Sequence, residues 1–251
     1  MKKLLCLEFT RLKKRTSFYV CIAVAVGLLF LSDLSSKAIL KITPELASLV
    51  STSVVECMAN ALNNSSFTII AGIFTVLFVC EDYELNTVKN ICSKGFSTNS
   101  IFLAKTVSVL AATTVMFVII EIFAFISSSL FFDTGKADTL KLIFILSTQY
   151  VVAVANSLFV FVTSILIRRT GISITAIIVV PLLLDLMLTI LDTLIKSTSF
   201  SFTSLWISSF LPHISVLTVT YEKLTLSLVT ALVYIVIFIT AGSFLNKKKD
   251  L

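Results

Sequence analysis

The chain alternates long apolar runs with shorter polar ones. A helix that crosses a bilayer needs about 20 mostly apolar residues. Six runs approach or exceed that length: residues 17–34, 59–80, 105–132, 140–167, 171–195 and 224–245. Asn63, Asn64, Ser65 and Ser66 dilute the start of the second run. Only Arg168, Arg169 and Thr170 separate the fourth from the fifth, which predicts a tight hairpin. Residues 1–16 mix apolar and basic positions, with Leu5, Phe9 and Leu12 at helical spacing. That pattern predicts an amphipathic helix lying on the membrane surface.

Three connections are longer than a turn requires. Residues 35–58 carry Ala38, Ile39, Ile42, Leu46, Leu49 and Val50, which predict a surface helix. Residues 196–223 carry Phe200, Phe202, Trp206, Phe210, Pro212 and His213. They are too apolar for a solvated loop and too interrupted for a span, so a re-entrant or interfacial segment is expected. Residues 81–105 are polar and far exceed the about five residues of an ordinary connection. Within them Val88, Ile91 and Cys92 fall at i, i+3 and i+4, the spacing of a short amphipathic helix. Glu81, Asp82 and Glu84 give it an acidic approach, and Gly95 punctuates it. The expected fold is therefore all-α: one polytopic membrane domain over residues 1–251 with six transmembrane helices.

Composition supports this class. The chain is 57% hydrophobic and 14% charged, against about 25% charged in soluble domains. The net charge of +6 reads as topology. Fourteen of the 20 basic residues fall on one side of the six-span scheme, which makes that side cytoplasmic. Both termini and residues 81–105 lie on it. No free-standing basic helix suggests nucleic acid. The basic region before the first run is too long for a signal peptide, so a retained helix is expected. Of the five cysteines, only Cys57 falls on the outer side, so no disulfide is expected.

Several chemistries are excluded. A Walker A loop needs two glycines five positions apart followed by Lys and Ser or Thr, and none of the six glycines forms such a pair. A single histidine, His213, rules out a multi-histidine metal site. No metal site, resident cofactor or enzymatic centre is expected. Ionisable residues within spans are expensive and mark candidate functional positions. Glu121, Gln149, Asn156 and Asp185 fall in the spans, mostly in the outer half, and Pro181 kinks the fifth span close to Asp185. Two readings stand side by side: a polar cluster meeting a cationic or amphipathic substrate, or hydrogen bonds that fix helix packing. Asp192, nearer the outer surface, is expected to be solvated.

Residues 82–105 read D-Y-E-L-N-T-V-K-N-I-C-S-K-G-F-S-x-x-x-I-F-L-A-K. This run resembles the loop after the second span in type-2 ABC transporter permeases. There an acidic residue, a Gly-Thr pair, a basic residue, a small-residue turn and a final Lys recur around a coupling helix. The matching positions are Glu81 or Glu84, Thr87, Lys89, Lys94, Gly95, Ser97 and Lys105. Asn86 stands where Gly is usual, and Asn99 where Arg is common. The six spans, the N-terminal helix with Glu8 and the apolar segment between the last two spans fit the same family. The resemblance implies an exporter permease in a bacterial plasma membrane, of the kind that exports or gives immunity to antimicrobial peptides. It implies a separate ATP-binding subunit carrying ATP and Mg²⁺, and a second permease copy or paralogue. Val88, Ile91 and Cys92 would be the helix face offered to the ATPase. The rival expectation is a membrane sensor or scaffold that transports nothing.

Overall fold

The structure is a computed structural model, and it describes residues 2–42, 50–135, 139–195, 202–215 and 219–248. The described residues are helical except for short connections. α1 is Lys2–Lys14, α2 Thr16–Ile42, α3 Val54–Asn64, α4 Phe67–Glu84 and α5 Thr87–Cys92. α6 is Thr98–Phe131, α7 Thr139–Ile167, α8 Thr170–Ile195, α9 Ile207–Ile214 and α10 Tyr221–Lys248. Six helical stretches are long and apolar enough to span a membrane, which makes this an all-α polytopic membrane protein.

The spans alternate in direction. α1, α5, the α7–α8 turn and the end of α10 gather at one end of the bundle, called here the α5 end. α4 and α7 form its centre. About 61% of the central window is buried in Val54–Glu84 and in α7, against 28% in α2, 17% in α10 and none in α8. The peripheral helices show Leu, Val and Ile outward, as a lipid-facing surface requires, because lipid tails are as apolar as those side chains. Close approach must then come from small residues. Gly72 of α4 lies where a Cβ would sit 3.1 Å from Ile177 of α8. Gly242 of α10 leaves room for Phe102 and Val162, which a Cβ would meet at 2.9 and 3.0 Å.

Hydroxyls inside the spans bond back to their own helix. Thr75 donates to the Ala71 carbonyl at 2.8 Å, and Thr113 donates to Val109 at 3.0 Å while meeting Ser157 of α7 at 2.9 Å. Such back-bonding satisfies a polar group where no water can.

The second span departs from its predicted bounds of 59–80. It runs Val54–Glu84 and is broken. Ser66 takes a left-handed conformation, φ 50°, between α3 and α4. The Asn63–Ser66 stretch that weakens the sequence signal is the break itself. α3 is started by Ser53, whose hydroxyl accepts from the Glu56 amide at 3.4 Å. The first span is also longer than predicted. Its buried stripe, Phe18, Cys21, Ala25, Leu29 and Asp33, advances by three or four residues throughout. The helix continues to Ile42, so Ala38, Ile39 and Ile42 belong to the span and not to a separate surface helix. Leu46 and Leu49 lie outside the described residues.

Between the last two spans, a 3₁₀ turn (Phe202–Leu205) leads into α9. α9 has eight residues, about 12 Å of helix, too short to cross a bilayer. Ile207, Phe210, Leu211 and Ile214 are buried against the bundle. Phe200, at the start of this segment, lies outside the described residues. Asp192 is not simply solvated: it accepts from the Phe202 amide at 2.6 Å and from the Thr203 amide and hydroxyl at 3.1 and 2.8 Å. It thereby ties the end of α8 to this segment.

Candidate functional site

Four consecutive residues at the end of α4 each hold a different part of the α5 end. Glu81 pairs with Arg15, in the elbow between α1 and α2. Asp82 pairs with Lys105 of α6 and Arg11 of α1, the second Arg11 nitrogen donating at 3.0 Å. The Tyr83 ring lies under the Arg168 guanidinium, 5.0 Å from centroid to carbon, at the α7–α8 turn. Glu84 accepts from the Thr170 amide at 2.7 Å, the first residue of α8. One helical turn thus joins α1, α2, α6, α7 and α8. Successive positions on a helix point in different directions, about 100° apart. A run of four therefore reaches all round the axis, and residues 81–84 use every direction.

The centre of this hub is unusually buried for charged groups. Glu8 is 0% exposed, and Asp82 and Lys105 are 1% exposed. Lys105 also lies 3.8 Å from Glu8, and Arg11 lies 3.5 Å from it. Glu8, Glu81 and Asp82 face Arg11, Arg15 and Lys105, so the six charges sum to zero. Phe78, one turn before Asp82, floors the cluster: Lys105 sits 5.5 Å and Arg15 5.7 Å from its ring centroid. Burial pulls the Arg15 pKa below its ordinary value while the Asp82 carboxylate pushes it back up; a guanidinium stays charged either way. Opening such a buried pair by removing one partner costs about 3–5 kcal/mol. The Asp82–Lys105 centre is therefore a stiff joint, flanked by the more exposed contacts of Glu81 and Glu84.

Two residues, Leu85 and Asn86, separate the hub from α5. Asn86 precedes it at φ 53°, a left-handed conformation that Asn tolerates better than other non-glycine residues. Gly95 closes the segment at φ 85°. Ser97 then starts α6, its hydroxyl accepting from the Ser100 amide at 3.3 Å. A six-residue helix cannot hold itself together. Packing does it: Val88, Ile91 and Cys92 lie against a core of Leu4 from α1 and Ile101 and Ala104 from α6. The face expected to meet another protein is thus turned inward and half-buried. Exposed instead are Leu85, Asn86, Lys89, Asn90, Lys94 and Gly95, with Thr87 half-buried between the two faces.

No family model matches the chain, and no curated protein matches it.

The predicted intramembrane residues separate into different environments. Gln149 is fully buried and packs the bundle: its amide donates to the Ala59 carbonyl at 2.7 Å and to the Ser215 hydroxyl at 3.2 Å. Glu121 is 8% exposed and makes no hydrogen bond among the described residues. Asn156 and Asp185 come together on the walls of a cavity of about 520 Å³ between α4, α7 and α8, which neither Glu121 nor Gln149 lines. The expected single cluster of Glu121, Gln149 and Asp185 is therefore not formed. Asp33, which the sequence pattern passes over, is 2% exposed and accepts from the Ser127 hydroxyl of α6 at 2.5 Å. Its place in the buried stripe of α2 was the available signal. No group of three or more His, Cys, Asp or Glu suited to a metal is found among the described residues.

Proposed function

We propose that this chain is the permease subunit of an ABC exporter in a bacterial plasma membrane, with both termini cytoplasmic. A separate ABC subunit carries ATP and Mg²⁺, and two permeases face each other around the pathway. The cargo is a peptide or another amphipathic, lipid-like molecule. The observation that carries the reading is the hub at residues 81–84: a stiff joint into five helices, followed at once by a short helix with an exposed polar face. A helix so placed is moved as a unit by whatever docks on it. ATP binding closes the ATPase pair, α5 moves with it, and the hub passes that displacement to α1, α6 and α8. The balance between inward-facing and outward-facing arrangements shifts accordingly.

The docking face in this reading is Leu85, Lys89, Asn90 and Lys94. Val88, Ile91 and Cys92 seat α5 on its own chain. A photo-crosslinking amino acid at Lys89, activated in native membranes, is expected to trap a protein that mass spectrometry identifies as an ABC ATPase. The same label at lipid-facing Val236 should not trap it. Absence of an ATPase from the Lys89 adduct, with the chain folded, would contradict the reading and favour a sensor or scaffold.

A further inference from the structure

The cavity between α4, α7 and α8 is mostly apolar, with a few polar groups on its walls. Its walls include Phe159 and Val160 of α7, Ile177 and Pro181 of α8 and Ile69 of α4, and polar character enters through Asn156 and Asp185, with the hydroxyls of Thr68 and Ser208. Ile178, Leu182 and Leu186 on its α8 side are exposed, so the opening faces sideways, where lipid would lie. Ser208, in the first turn of α9, lines the end away from α5. The volume of about 520 Å³ falls within the about 300–1,000 Å³ of small-molecule sites. Pro181 lacks an amide hydrogen, so the Ile177 carbonyl loses its usual bond within α8.

We infer that this cavity binds an amphiphile with a single hydrocarbon tail and a cationic amine head, the tail lying on the apolar walls and the head at Asp185 and Asn156. The Asp185 carboxylate accepts, the Asn156 amide both accepts and donates, and an ammonium group offers three donors and no acceptor. A carboxylate head accepts only and offers the Asp185 carboxyl no donor. The inference rests on the transport reading only in calling the occupant cargo.

The chain supplies its own reporter. Trp206, the single tryptophan, packs edge-on against Phe159 with ring centroids 6.1 Å apart. The test uses the purified full chain in nanodiscs of zwitterionic lipid, without ATPase. Nitroxide-labelled dodecylamine is titrated while Trp206 fluorescence is read, beside the matched carboxylic acid and alcohol. The amine is expected to quench saturably, with a midpoint about tenfold or more below the others, the scale of a charge-assisted hydrogen bond. Asp185→Asn, which keeps the shape, should remove that preference, and Ile178→Phe, which fills the cavity, should weaken amine quenching. Equal midpoints for the three heads in the native chain would overturn the inference, and so would an amine midpoint unmoved by either variant. The head-group series needs no variant, so misfolding of Asp185→Asn leaves it decisive. Amine binding without an ATPase at Lys89 would remove the transport reading alone. An ATPase at Lys89 without amine preference would remove the site alone.

Discussion

Asp82→Asn tests the hub through its most buried pair. The change keeps the shape of the side chain and removes one negative charge. Lys105, at 1% exposure, then loses its closest counter-charge, and its one remaining carboxylate is Glu8, at 3.8 Å. Arg11 is a quarter exposed and can turn to water, so its share of the loss is small. Removing one partner of a fully buried pair costs about 3–5 kcal/mol. The remaining Glu8 contact puts this case at the low end, ~3 kcal/mol. Lys105→Met costs less, ~2 kcal/mol, because Asp82 keeps both Arg11 nitrogens. The double variant carries no stranded charge, and it should be less destabilised than the sum of the two by ~2 kcal/mol. Unfolding in mixed detergent micelles reads this directly. Cys80 is buried beneath the hub, so its labelling by a maleimide dye follows opening of α4. A coupling within ~0.5 kcal/mol of zero, the usual scatter of independent sites, would refute the view of Asp82 and Lys105 as a buried pair.

Further outcomes follow from neighbouring residues. Glu84→Gln should weaken the tie between α4 and α8, raising amide exchange at the first turn of α8 by a loss of about 1 kcal/mol, the scale of a helix cap; unchanged exchange would remove that tie. Asn86→Val places a β-branched residue at φ 53° and should destabilise α5 by about 1–2 kcal/mol; Asn86→Gly should be tolerated, as read by labelling of Cys92. Gly242→Leu forces a side chain against Phe102 and Val162 and should lower stability by about 1–3 kcal/mol, while Gly27→Leu, with open space around it, should be nearly neutral in the same unfolding assay.

Much of this architecture is written locally. Each span is a run of apolar residues, and the α3–α4 break sits where Asn63–Ser66 interrupts one. Asn86 and Gly95 mark left-handed positions because few other residues accept them. What stays hidden is pairing over distance. Arg11 and Asp82 are 71 residues apart, and nothing local in either selects the other. The α5 spacing gives an apolar face but not what covers it: Leu4 and Ile101, from either side of it in the chain, take the place a partner protein was expected to fill. Asp33 escapes notice because it lies at the end of the apolar run 17–34, where helix and span end together in the sequence. Gln149 and Asp185 look alike as intramembrane polar residues, yet one ties three elements together and the other lines a cavity. Only the rotation of each helix about its axis separates the two, and a local run of sequence does not carry it.

The central claim is that the hub couples α5 to the spans. It is tested most directly by ATP-driven efflux from vesicles holding the chain with its ABC ATPase, comparing the native chain with Asp82→Asn/Lys105→Met. The double variant is predicted to fold, retain the ATPase and hydrolyse ATP, yet lose at least about nine-tenths of efflux, a barrier change of roughly 1.4 kcal/mol. Efflux at the native rate from that variant would contradict the claim.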